Sequence, residues 1–337
     1  MASQAEPLEH GGDLSAARRR FPGAPEPFID LSTGINPYPY PLPHLPPALF
    51  ARLPQADALA ELAGIAATAY GAPSPACVVA APGTQSLLPL VAAFRPAGQA
   101  AILGPTYAEH ARAAALAGHS VIETRDVDRL AAADLAVVVN PNNPDGRLLA
   151  QADLLALAEK LGKRGGMLVV DEALMDVGPP KMSLAGEIMR GNVVVLRSFG
   201  KFFGLAGVRL GFAVAAEDIA KRLRAALGPW AVSGPAIAIG AIALADKAWT
   251  ASTQVRLAQA AQRLDRLLTG AGLEVVGGTP LFRLAQTPAA AALYETLGGA
   301  GILVRRFAEQ PAWLRFGLPG DEQAWERLAS ALAGHVR

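Results

Sequence analysis

The sequence predicts an α/β protein: a large domain on a mostly parallel central sheet, followed by a smaller α+β domain. Two observations carry the first part. Short, nearly continuous apolar runs rich in Val recur between residues 78 and 214 and alternate with helical stretches, as strands buried on both faces do. Polar or glycine-bearing segments follow directly on several of these runs, at the strand ends where such sheets carry ligands. A third observation concerns the last quarter, where strands come in pairs before single helices, the order of an α+β domain.

Taken in order, the arm comes first. Proline recurs between Phe21 and Pro47, so neither helix nor sheet can run far there. Phe28, Ile29, Leu31, Ile35, Tyr38 and Tyr40 are too apolar for a solvated tail, so the arm is expected to wrap over something. Strands are expected at 78–80, 101–103, 119–122, 136–139, 168–170, 193–196 and 208–214, with helices over 84–94, 109–117 and 151–163. One long helical stretch, 236–268, precedes strands at 273–276, 281–284, 302–304 and 314–316 and helices over 288–297 and 321–335. The 337 residues exceed what one small core fills. Three parts are expected: an arm over 1–50, a large domain over 51–227, and an interdomain helix with the small domain over 228–337.

Composition excludes several functions. A formal net charge of +1 leaves no basic footprint for nucleic acid or an acidic membrane surface. The single cysteine, Cys77, forms no internal disulfide and suits a reducing compartment. The first residues carry Glu6, Glu9 and Asp13 without an apolar core, unlike a signal peptide. The uncharged stretch 228–245 is interrupted by Pro229, Gly234, Pro235 and Gly240, which fits a buried interface helix better than a membrane span. A cytoplasmic protein with neither nucleic acid nor membrane as partner is expected.

The sharpest chemistry lies in Val169-Val170-Asp171-Glu172-Ala173 and Ser198-Phe199-Gly200-Lys201. An acid leaving an apolar strand is poorly solvated and needs a cationic partner. A lysine in a partly desolvated loop has a depressed pKa and a nucleophilic amine. An aldehyde cofactor with a basic ring nitrogen uses both: the amine for an imine, the carboxylate to keep the ring protonated. Asn140-Pro141-Asn142-Asn143-Pro144-Asp145-Gly146 occupies a third strand end, Pro82-Gly83-Thr84-Gln85-Ser86 a fourth, and Arg209 follows Lys201 by eight residues. Singly, each has an ordinary reading: Asn142 and Asn143 as turn formers, Thr84 as a helix cap, Tyr107 as core. As an ordered set on successive strand ends they favour the cofactor.

That set resembles the fold-type I pyridoxal-phosphate enzymes, in the class I and II aminotransferase family. The resemblance implies that Lys201 holds the cofactor covalently and later moves the proton at the substrate α-carbon, while Asp171 pairs with the pyridine nitrogen. It implies Asn143 as donor to the ring 3-oxygen and Tyr107 as the aromatic residue stacked on the ring. Gly83, Thr84 and Gln85 are then expected to receive the cofactor phosphate, completed by Ser198 and Arg209. No metal is expected. Two positions depart from the family pattern: Leu174 stands where a tyrosine usually shares the 3-oxygen, and Leu53-Pro54-Gln55 where a tyrosine usually reaches a partner subunit's phosphate.

The arm points further. His10-Gly11-Gly12, followed by Asp30-Leu31-Ser32-Thr33-Gly34-Ile35-Asn36-Pro37, resembles the opening of the threonine-phosphate decarboxylases of cobalamin biosynthesis, a branch of this family. By that resemblance the substrate is a small phosphorylated amino acid, O-phospho-L-threonine, converted to (R)-1-amino-2-propanol phosphate and carbon dioxide. His10, Gly11, Asn36, Arg305 and Arg315 are the implied substrate-binding residues, the arginines because guanidinium forks suit phosphate and carboxylate. An aminotransferase of a phosphorylated amine such as histidinol phosphate would use the same lysine, and the core motifs leave both open. A non-catalytic binding protein on the same fold is the third reading, against which stand the intact Lys201, Asp171, Asn143 and Arg209. A homodimer is implied, with 228–245 as the candidate buried contact.

Overall fold

The computed structural model describes residues 10–335. The chain divides after Pro37 and after Val255 into a large unit, Tyr38–Val255, and a small unit that joins the segment ending at Pro37 to the segment beginning at Arg256. These boundaries differ from those expected at 50 and 227. The arm is split at Pro37, and the apolar helix Gly234–Ala245 belongs to the large unit. Its packing explains why: a Cβ on Gly240 would lie 2.5 Å from Leu210 Cδ2 and 3.2 Å from Leu62 Cδ1, so only glycine lets this helix lie so close to the helix Ala56–Tyr70.

Strand β1 (Ile29–Leu31) belongs to the small unit. The large unit holds β2 (Val78–Ala81), β3 (Gln99–Leu103), β4 (Ser120–Thr124), β5 (Leu135–Val139), β6 (Met167–Asp171), β7 (Val193–Ser198) and β8 (Gly211–Ala215). Their order across the sheet is β2-β8-β7-β6-β5-β3-β4. Every pairing is parallel except the two made by β8, so the sheet is mostly parallel, as the apolar runs require. β5, β6 and β7 are buried along their whole length. β8 starts later than expected. Ala206–Val208 forms a 3-10 turn and Arg209 takes a left-handed backbone (φ 56°), which ends any extended run before Gly211.

The stretch expected as one helix is two, Gly234–Ala245 and Lys247–Gly270, parted at Asp246. Asp246 caps the second, accepting from Trp249 N at 2.9 Å, and its other oxygen accepts from the Tyr40 hydroxyl at 3.1 Å.

In the small unit, β9 (Glu274–Thr279), β10 (Phe282–Gln286), β11 (Ile302–Arg306) and β12 (Trp313–Gly317) form a sheet of order β1-β11-β12-β10-β9. The arm contributes more than a wrap. After the short helix Leu14–Arg20, β1 adds a parallel edge strand to β11 in the register Ile29 to Ile302. Pro27 lies just before it, and beyond Leu31 the Ser32 N–H turns back to Asp30 Oδ1, so it stays three residues long. Among the described residues, no helix is long and apolar enough to cross a membrane, and the one cysteine, Cys77, is free and buried.

Candidate active site

In the large unit the expected cofactor residues stand at or follow the carboxyl ends of the parallel strands. The exception is Arg209, which precedes the antiparallel β8 and so lies at the same edge, where Gly211 pairs with Ser198. Asp171 closes β6, 5% exposed. Its Oδ1 accepts from Ala173 N at 2.9 Å, and its Oδ2 lies 2.8 Å from His110 Nε2. An ionised carboxylate requires the tautomer in which His110 donates there. His110, buried on the helix Glu109–Leu116, was not identified from sequence. Its only signal is its place three residues after Tyr107, one helical turn along.

Ser198 ends β7, and Lys201 sits on the short helix Phe199–Phe202. Aromatic rings fix that helix: Phe199 stacks on Phe203 (centroids 4.5 Å), Phe203 stacks on Trp249 (5.6 Å), and Tyr40 meets both edge-on. A Cβ on Gly200 would lie 2.9 Å from Ala206 Cα, so glycine lets the following loop close against the lysine helix.

Gly83 follows β2 with φ 81°, a conformation that side chains rarely adopt. A Cβ there would lie 2.7 Å from Arg209 Nη2, and one on Gly211 would lie 2.5 Å from Thr84 N. Bare backbone at Gly83 and Gly211 thus lets an exposed guanidinium and the N-terminus of the Thr84–Ser86 turn come close together. Gln85 reaches Tyr107, whose hydroxyl donates to Gln85 Oε1 at 3.1 Å. Burial first, then the charges of Glu109 and Asp171 against Arg209, push the Tyr107 phenol up to about 12, so it remains protonated.

Asn143 is half-buried in the loop after β5. Its neighbour Asn142, fully buried, ties that loop to the one bearing Tyr107. Asn142 Oδ1 accepts from the Thr106 hydroxyl at 2.6 Å, while Nδ2 donates to Pro105 O (2.9 Å) and Asp145 Oδ1 (2.7 Å). Asn142 is thus both a turn former, its carbonyl accepting from Gly146 N at 2.9 Å, and a staple between two loops. Leu174 is buried and brings no hydroxyl to its position.

On the other side of β6 and β7 lies a charged cluster that the sequence did not reveal. Arg197 donates to Glu172 (3.1 Å) and Asp176 (2.6 Å), and its guanidinium covers the Tyr70 ring at 4.4 Å. Glu172 also accepts from Ser183 Oγ and Leu184 N. Burial raises the Glu172 carboxyl against the pull of Arg197, whereas Asp176 and Glu172 together hold Arg197 charged despite its burial.

In the small unit the arm residues cohere. Gly12 N donates to Ser32 Oγ at 2.7 Å, Ser32 N and Oγ donate to Asp30 Oδ1, and Arg315 Nη2 donates to Ser32 O at 2.5 Å. A Cβ on Gly11 would lie 2.5 Å from Ser32 O, which is why the arm needs glycine there. Arg315, on β12, pairs in register with Arg305 on β11. Burial, then Arg305, push its guanidinium down to about 10, opposed by Asp30, so Arg315 is cationic at neutral pH. His10, Gly11, Ser32 and Arg305 line a cavity of about 510 Å³. Asn36 is buried and does not line it, and neither does Arg315. Arg306, exposed at the end of β11, does line it.

Residues 53–332 match the family "Aminotransferase class I and II", and the chain belongs to it. It is 46% identical over 330 residues to a threonine-phosphate decarboxylase of Sinorhizobium sp, covering 97% of this chain and 98% of that protein. The same protein of Pseudomonas aeruginosa is 45% identical over 330 residues, with the same coverage. Among solved structures, the histidinol-phosphate aminotransferase from Sinorhizobium meliloti in complex with pyridoxal-5'-phosphate superimposes with a TM-score of 0.83 at 21% identity, over 100% of this chain and 98% of that one. That likeness establishes the fold.

The family's cofactor is pyridoxal 5'-phosphate, and the residues present fit it. The Arg209 guanidinium packed on Gly83 and the backbone N–H groups that open the Thr84–Ser86 turn beside Gly211 are donors suited to a phosphate, and Asp171 offers a buried, doubly held carboxylate to a ring nitrogen.

Proposed function

We propose that the chain decarboxylates O-phospho-L-threonine to (R)-1-amino-2-propanol phosphate, with pyridoxal 5'-phosphate as cofactor, as a step of cobalamin biosynthesis. The observation that carries this reading is the pair Arg305–Arg315, two cations directly opposed across β11 and β12, with the Gly11–Gly12 arm laid on the Ser32 that Arg315 holds. Two guanidinium groups so opposed make a place where a bound phosphate or carboxylate is stabilised. The near-full-length identity to two threonine-phosphate decarboxylases supports the choice of anion.

The cofactor supplies an electron sink for the carbanion left when a carboxylate departs. Lys201 would hold it by its side-chain amine, and that amine would carry the proton given to the substrate α-carbon. Asp171, held by His110 and Ala173 N, keeps the proton on the pyridine nitrogen. Gly83, Thr84, Gln85, Ser198 and Arg209 bind the cofactor phosphate, Asn143 donates to the 3-oxygen, and Tyr107 stacks on the ring. His10, Gly11, Asn36, Arg305 and Arg315 would bind the substrate's anions, and that binding would be spent on orienting its carboxylate for departure.

A homodimer belongs to this proposal. Phe50, Leu53, Trp230 and Ile242 are large apolar residues left exposed on the large unit, three of them more than half exposed, and they are the faces a second copy would cover. The test of function is stoichiometric. Purified enzyme loaded with cofactor is expected to release one carbon dioxide per O-phosphothreonine without 2-oxoglutarate; an oxo product that needs 2-oxoglutarate, with no gas, would establish aminotransfer instead. Gly11→Ala is expected to raise KM about tenfold, an effect of roughly 1.4 kcal/mol, by lifting the arm off Ser32 while leaving the cofactor's visible spectrum unchanged. A changed spectrum with an unchanged KM would remove the arm from substrate binding.

A further inference from the structure

Glu109 opens the helix that carries His110 and is only 5% exposed, a costly place for a carboxylate. The start of the helix eases that cost, because its dipole favours negative charge, and Arg112 approaches Glu109 Oε1 at 3.4 Å. Nothing in the cofactor's chemistry as set out above uses this group. Its hydrogen bonds show what it does. Glu109 Oε2 accepts from Gln85 Nε2 at 2.7 Å, and Gln85 Oε1 accepts from the Tyr107 hydroxyl at 3.1 Å.

The polarity of that chain is forced. A carboxylate has no proton to give, so only the nitrogen end of the Gln85 amide can face it. The oxygen end must then face Tyr107, and the phenol must donate. An amide in the place of Glu109 removes the constraint, because either end of Gln85 then finds a complementary partner. Burial and the Glu109 charge both keep the phenol protonated, in agreement with its role as donor.

We propose that Glu109 is a positioning residue which, by fixing the direction of the Gln85 amide, holds the Tyr107 ring in the one orientation that meets the cofactor. The last clause rests on the cofactor reading above; the hydrogen-bond relay itself does not. The relay therefore acts on cofactor geometry from a residue that touches neither cofactor nor substrate.

The test has two arms. In cofactor-free protein labelled with ¹³C at tyrosine Cζ, the Tyr107 resonance, assigned by its loss in Tyr107→Phe, reports its hydroxyl hydrogen bond. Glu109→Gln is isosteric and is expected to shift or broaden this resonance. The exchanged pair Gln85→Glu with Glu109→Gln is expected to return it, since the new carboxylate again accepts from the phenol. In cofactor-loaded protein, Glu109→Gln is expected to reduce the visible circular dichroism at least twofold, and to cause no further loss in a Tyr107→Phe background. An unmoved resonance in Glu109→Gln, or losses that multiply in the double variant, would overturn the proposal. A resonance that responds as expected in a protein with no visible cofactor band would preserve the relay and overturn the cofactor reading alone.

Discussion

Lys201→Ala is expected to give a folded protein that has lost the visible band of bound cofactor and about 10⁴-fold or more of its turnover. The two halves of that result have different causes. Fold survives because the lysine helix is anchored by Phe199 and Phe202, both essentially fully buried, and by the stack of Phe203 on Trp249, none of which involves the lysine side chain. Activity is lost because no other amine stands on that helix, and neither covalent attachment nor proton return at the α-carbon has a substitute. Lys201→Arg separates charge from nucleophilicity. Arginine keeps a cation on the same helix but does not give up its proton, so it is expected to be as inactive as alanine. An arginine variant with turnover within tenfold of the parent would reduce Lys201 to an electrostatic role.

Arg197→Met is expected to be the most destabilising single change in the large unit. Arg197, Glu172 and Asp176 are buried together, and removing the cation leaves two carboxylates without their compensating charge. Breaking a buried pair from one side costs about 3–5 kcal/mol, which lowers the melting temperature by roughly 10 °C in a unit of this size. Removing both charges of one pair costs less. Arg197→Met with Glu172→Gln is therefore expected to recover part of the loss, because burial already disfavours the Glu172 charge. Scanning calorimetry of the three proteins decides it, and a double variant no more stable than Arg197→Met would show that packing, not charge, dominates. The cluster also has a functional setting: Glu172 and Arg197 directly adjoin Asp171 and Ser198 in the chain, so it clamps the two strand ends that present the site.

The strands were legible because β5, β6 and β7 are buried on both faces and so are written as unbroken Leu, Val and Ala runs. Asp171 and Ser198 were legible because each is the polar residue that ends such a run, and Lys201 follows within the next helical turn. His110, Glu109 and Arg197 were not. His110 meets Asp171 across 61 residues of chain, and only the sheet order brings the helix after β3 to the end of β6. Arg197 reads as one more polar residue at a strand end until its partners Glu172 and Asp176 are seen beneath it. β1 was missed because three residues carry no periodicity, and its partner lies some 270 residues away. The break at Asp246 depended on a side-chain cap inside an otherwise helix-forming run, and the late start of β8 on the left-handed Arg209.

The central claim is that this site breaks the bond from the α-carbon to the carboxylate and leaves the α-hydrogen in place. Turnover of O-phospho-L-threonine in deuterium oxide, followed by proton NMR and mass spectrometry, tests it directly. The account predicts an amine product that keeps the original α-hydrogen and carries one solvent deuterium on the same carbon. A carboxylate still attached, with the α-hydrogen replaced by deuterium or lost to an oxo group, would contradict it.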